Sequence, residues 1–94
     1  MWQIEEHRHV DKQLSAGVPI EVLKRYEKWK DIARISGPQG LRAIKGFHDE
    51  ALSGGWNGHR SSRLGIQWRV IYRVIAKVLQ IQVVEVTAHD YGKS

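Results

Sequence analysis

The stretch HRSSRLGIQWRVIYRVIAKVLQIQVVEVTA, residues His59–Ala88, decides the fold. It is rich in Val, Ile, Trp and Tyr, side chains that suit a pleated, half-buried surface, and it divides into three runs at 59–64, 68–76 and 79–88. Ala76-Lys77-Val78 is short enough for a hairpin connection, so the segment reads as an antiparallel meander of three strands. In the middle run Trp68, Val70, Tyr72 and Val74 alternate with Arg69, Ile71 and Arg73. Period-two geometry sends the first set to a covered face and the arginines to an open one. His59, Ser61 and Arg63 share one side of the first run in the same way, so two strands are expected to converge on a basic face. In the last run Leu79, Ile81 and Val83 oppose Gln80, Gln82, Val84 and Val86.

Upstream, Ser53-Gly54-Gly55-Trp56-Asn57-Gly58 carries the residue types of turns and is expected to be a loop leading into the first of these strands. Residues 39–50 have Leu41, Ile44 and Phe47 at helical spacing, weakened by Gly40 and Gly46, and read as a short or broken helix. Before them Val22, Tyr26, Trp29 and Ala33 form one stripe, with Glu21, Lys24, Glu27, Lys28, Asp31 and Arg34 on the other face. This predicts an amphipathic helix of about four turns, with Pro19 in its first turn and Ser36-Gly37-Pro38 at its end. The N-terminal part reads as a short strand at Trp2–Glu5, then a helix using Val10 and Leu14 that stops at Gly17. The order β-α-α-β-β-β defines an α+β fold with helices on one face of a small antiparallel sheet.

The 94 residues suffice for a single domain, 1–94, and exclude large multidomain enzymes. With no cysteine, disulfides and thiolate zinc sites are ruled out. No apolar run approaches the length of a membrane span, and a cytoplasmic protein with no membrane association is expected. Charge is uneven: residues 1–50 hold nine Lys/Arg against eight Asp/Glu, whereas residues 51–94 hold six against two. Between Ala51 and Val84 lie Arg60, Arg63, Arg69, Arg73 and Lys77 with no acidic residue. Such a surface suits a polyanion. His7-Arg8-His9-Val10-Asp11 has metal-like spacing, but no further Cys/His set follows it, and it reads as surface.

Three features in this order resemble the RelE/ParE toxin superfamily, especially its YafQ-like and HigB-like mRNA interferase branches: Leu-x-Gly-x-Trp-x-Gly-x-Arg at Leu52–Arg60, Trp-Arg-Val-Ile-Tyr at Trp68–Tyr72, and His89-Asp90-Tyr91 after the last strand. The resemblance covers nearly the whole chain. It implies the toxin of a type II toxin-antitoxin system, a ribosome-dependent mRNA endoribonuclease with a cognate antitoxin, the ribosome and mRNA as partners and no cofactor. It also implies that Arg69 and Arg63 hold phosphate, with His89 and Tyr91 at the matching late positions. Two departures leave the general base open: Glu50 stands where YafQ-like members have a histidine, and Gln67 where they have an aspartate before the tryptophan.

Attack by a ribose 2′-OH on the neighbouring phosphate needs a base, cations for the developing charge and an acid for the leaving oxygen, and in principle no metal. The candidate catalytic residues are therefore His89, Arg69, Arg63, Tyr91 and Glu50. His89 is the first choice for proton transfer because an unperturbed imidazole titrates near neutrality. His59, Ser61, Arg73 and Asp90 are candidate RNA contacts. Two alternatives stay open: a ParE-like DNA gyrase inhibitor without catalysis, and a basic nucleic-acid-binding module.

Overall fold

The computed structural model describes residues 1–88. Its elements run β1 (Gln3–Glu6), α1 (Arg8–Ser15), α2 (Ile20–Ala43), β2 (Glu50–Ala51), β3 (Arg60–Arg63), β4 (Arg69–Ile75) and β5 (Gln80–Thr87). The sheet order is β1-β5-β4-β3-β2. The pairs β2/β3, β3/β4 and β4/β5 are antiparallel, as the meander requires, while β1 lies parallel to β5. The α+β class and the order of the main elements agree with the sequence reading; the addition is β2, a two-residue strand at the edge beside β3.

The stripe of α2 behaves as its spacing predicts: Val22, Tyr26, Trp29 and Ala33 are all buried. Trp29 stacks on Tyr26 at 5.9 Å and meets the edge of Tyr72, from β4, at 5.3 Å, so one aromatic column joins helix to sheet. Truncating such a ring costs about 3–5 kcal/mol. Pro19 precedes the helix as its N-cap instead of lying in the first turn, and its carbonyl accepts from the Val22 and Leu23 amides. At the other end the predicted stop is a break. Gly37 adopts φ 66°, ψ −163°, and a second helical piece continues through Pro38 to Ala43. A Cβ at Gly37 would collide with the Trp2 indole, so the break lets the N-terminal strand approach the helix closely.

The helices cover one face. Val70 and Tyr72 of β4 and Ile81 and Val83 of β5 turn towards them and are fully buried. Val86 joins that core, which corrects its sequence-based grouping with Gln80 and Gln82. The reason is a bulge: pairing steps from Tyr72–Val83 to Ile71–Glu85, so β5 carries an extra residue and its alternation reverses beyond Val84. Past the end of β1, α1 takes over the β5 edge, where the Gln13 side chain accepts from the Val86 amide at 2.7 Å and donates to Glu85 at 3.0 Å.

Two tyrosine hydroxyls donate to carboxylates inside this fold, Tyr26 to Glu6 at 2.5 Å and Tyr72 to Asp49 at 2.6 Å. Burial, then the bond to the carboxylate, raises both phenols well above their ordinary 10.0. A raised phenol is neutral in the folded protein at pH values where the unfolded chain has begun to ionise. The stability it contributes is therefore complete below about pH 10 and declines as pH rises further. Urea unfolding from pH 9 to 11.5 should show a falling stability whose slope is reduced, by up to about 1.4 kcal/mol per pH unit, in Tyr72→Phe and likewise in Tyr26→Phe. A wild-type slope in both variants would contradict these placements.

Candidate nucleic-acid interface

The site begins with a carboxylate on the covered side of the sheet. Asp49 has no exposed side-chain surface and accepts from Arg60 Nε at 2.7 Å, Ser62 Oγ at 2.6 Å and Tyr72 OH at 2.6 Å. Burial alone would lower the Arg60 guanidinium's affinity for its proton, but the Asp49 carboxylate outweighs it and the net shift is upward. Because successive strand residues face opposite ways, anchoring Asp49 inside turns its neighbour Glu50 out to the open face. The Glu50 side chain is 58% exposed.

On the open face β2, β3 and β4 bring together three of the residues expected at a catalytic site. Arg63 lies directly across from Arg69, and Glu50 across from Ser61. Arg69 Nη1 is 3.9 Å from Glu50 Oε1, a partly solvated ion pair, and only 19% of the Arg69 side chain is exposed. Arg63 is half-buried, and its Nε is buried without a hydrogen-bond partner. Two guanidinium groups on directly opposed strand positions repel each other, and one carboxylate at 3.9 Å from one of them does not neutralise both. Their arrangement suits an anion placed between them, and the planar fork of arginine matches a phosphate. At the same end Ile66, Gln67, Arg69 and Ala88 line a depression of about 230 Å³.

The remaining expected contacts divide. Arg73 is exposed on the same face, opposite Gln82. His59 packs edge-on against Trp56 at 5.2 Å, over the turn that Gly58 closes with φ 88°, and its Nδ1 is buried and unpartnered. Ser61 corrects its sequence-based placement as a surface contact: it lies on the open-face side but is wholly buried beside Ile71, which is also fully covered. His89, Asp90 and Tyr91 lie outside the described residues; Thr87 pairs with Arg69, and Ala88, the residue preceding His89 in the chain, lines the depression. Among the described residues no three His, Cys, Asp or Glu converge as a metal site. In the His7-x-His9-x-Asp11 stretch, His7 caps α1 by accepting from the His9 amide, and His9 reaches Glu85 at 3.6 Å.

Asp49 was missed in sequence. Arg60 and Ser62 alternate with His59, Ser61 and Arg63, so two polar side chains had to face inwards, and a buried acceptor was the signal available.

The open sheet, its strand order and the helices on one face define the RelE-like toxin fold. An archaeal RelE–RelB complex from Pyrococcus horikoshii OT3 superposes with TM-score 0.73 and 25% identity over 99% of this chain and 98% of that one. A YoeB–YefM complex from Staphylococcus aureus gives 0.71 and 17% over 96% and 99%, and YafQ from E. coli strain BL21(DE3) gives 0.64 and 18% over 92% and 91%. No family model and no curated protein matches the chain.

Asp49 and Glu50 should separate stability from site chemistry. Asp49→Ala leaves the Arg60 guanidinium and two hydroxyls without their acceptor and should cost about 3 kcal/mol or more, whereas Glu50→Ala should cost less than about 1 kcal/mol. Chemical denaturation of both variants checks this, and equal losses would count against the inside-outside assignment.

Proposed function

We propose that this chain is the toxin of a toxin-antitoxin pair and an endoribonuclease that cuts mRNA on the ribosome. The observation that carries the reading is the opposed Arg63–Arg69 pair with Glu50 at 3.9 Å from Arg69 on an open sheet face. The RelE–RelB and YoeB–YefM complexes with the same fold support a cognate antitoxin as partner. Among the described residues no helix is long and apolar enough to cross a membrane, and the proposed site of action is the cytoplasm.

In this mechanism the two arginines hold the scissile phosphate and stabilise the charge that grows on its oxygens as the 2′-OH attacks. Glu50 and His89 are the proton carriers, one taking the proton from the 2′-OH and the other protonating the leaving 5′ oxygen. The 2′-O–P bond forms, the P–5′-O bond breaks, and side chains alone carry the protons. Tyr91 stacks on a base or bonds the phosphate, with Asp90, His59 and Arg73 in supporting contacts to RNA. The antitoxin neutralises the basic face with an acidic segment.

His89→Ala should leave ribosome binding nearly intact and slow cleavage by about 10²- to 10⁴-fold on programmed ribosomes. Growth arrest by that variant with mRNA left uncut, together with inhibition of gyrase supercoiling by the wild type, would replace this reading with that of a gyrase inhibitor. Arg69→Ala should abolish cleavage, and Arg69→Lys should restore it only partly because lysine lacks the two-pronged grip. Removing either arginine relieves like-charge repulsion, so Arg63→Ala should change stability by less than about 1 kcal/mol at low salt. A larger loss would mean that Arg63 serves the fold instead of an anion.

A further inference from the structure

The half of β5 that leads to the candidate site is the half that β1 does not reach. β1 pairs with Gln80–Val83, and beyond it Glu85, Val86 and Thr87 pair with Ile71, Val70 and Arg69 of β4. On their other side the Gln13 carboxamide takes the place of a neighbouring strand. Its Oε1 accepts from the Val86 amide at 2.7 Å while its Nε2 donates to the Glu85 carboxylate at 3.0 Å, so one side chain holds two successive residues. A backbone N–H needs an oxygen and a carboxylate needs a donor, which leaves the carboxamide one orientation. Both residues follow directly on the bulge at Val84. The end of α1 stays beside the strand to its close: Gln13 and Ala16 line a depression with Trp68, Thr87 and Ala88, the last residue before His89.

A bulge is a register device. Moving or losing it turns every later strand residue to the opposite face and shifts it by one place along the partner. Thr87 pairs with Arg69, and His89 is two residues further on in the sequence. Which residue stands opposite the phosphate-holding arginine, and how far past it the chain places His89, thus depends on where the bulge lies. We propose that Gln13 is a positioning residue of the nuclease: by fixing Glu85 and Val86 it locks the bulge at Val84, and with it the offset of His89 from Arg69. The inference rests on the nuclease reading above and adds to it a residue of α1 that acts through the backbone of β5 and not on RNA. Were Gln13 there to satisfy an edge amide and nothing more, its loss would lower stability without singling out the chemical step.

Cleavage on programmed ribosomes, followed against ribosome concentration, separates the two roles. Gln13→Ala should lower kcat by about 10²-fold and leave KM within about threefold of the wild type, because the arginines that hold RNA keep their places. In a His89→Ala background the same substitution should cost less than about threefold more, since no proton carrier remains to be misplaced. Gln13→Glu sets two carboxylates against each other and should be as slow as Gln13→Ala. Combined with Glu85→Gln, it regains an acceptor for the Val86 amide and a donor for the new carboxylate, and kcat should return to within about threefold of the wild type. This paired variant keeps the test decisive if Gln13→Ala is too unstable to assay. A wild-type kcat in Gln13→Ala, an equal loss with and without His89, or a paired variant that stays slow overturns the positioning role while leaving the nuclease reading intact. A wild type that cuts no RNA on ribosomes overturns the nuclease reading, and this inference with it.

Discussion

A carboxylate enclosed without a single exposed atom of its side chain sets the terms for this end of the molecule. Asp49 is tolerable there only because a guanidinium and two hydroxyls, from β3 and β4, satisfy it. Those three bonds pull a segment with almost no regular structure onto the sheet. They convert Glu50–Ala51 into a paired edge strand and determine which way each of its residues faces. Removing the acceptor would free the edge and take Glu50 away from Arg69. The chemistry on the open side therefore depends on satisfied polar groups on the covered side, two or three atoms of backbone away.

The open face is arranged against its own stability. Like charges occupy directly opposed positions, a buried arginine nitrogen lacks a partner, and so do the Ser61 hydroxyl on the same strand and the His59 Nδ1 just ahead of it. Sheets built only to be stable put opposite charges or apolar pairs in such places. Unsatisfied polar groups beside two opposed arginines are the feature on which the proposed anion site rests. The covered face has its tyrosine–carboxylate bonds closed, and its one buried polar atom without a partner among the described residues is the Trp29 indole nitrogen in the aromatic column.

Long periodic segments were legible in sequence: the α2 stripe from Val22 to Ala33, and the alternation along β4 that separated Tyr72 from Arg69 and Arg73. Arg63, Arg69 and Glu50 were named together as site candidates, and the structure brings them together on one face. What escaped depends on single residues or on distant partners. A two-residue strand has no periodicity to detect. The bulge at Val84 inserts one residue without changing composition, yet it moves Val86 into the core. Ser61 was placed on the right face but its burial depends on what its neighbours cover, and Asp49 is defined by residues 11 to 23 positions away in the chain.

The parallel pairing of β1 with β5 also governs how the chain reaches this state. Strand β5 lies between β4 and β1 in the sheet and follows both of them in the chain, although β1 is the first strand of all: Gln3 aligns with Gln80. Until residues 80–87 have left the ribosome, β4 lacks a partner on that side and β1 has none at all. The apolar sides of both, and the stripe of α2 meant to cover them, stay open to water until then. A topology with so much non-local pairing closes late and slowly. During that interval the unfinished sheet has an unpaired central edge, the feature by which incomplete chains associate with one another. That edge closes when β5 pairs with β4 and β1, and Gln13 of α1 then accepts from the Val86 amide on the stretch of β5 that β1 does not reach.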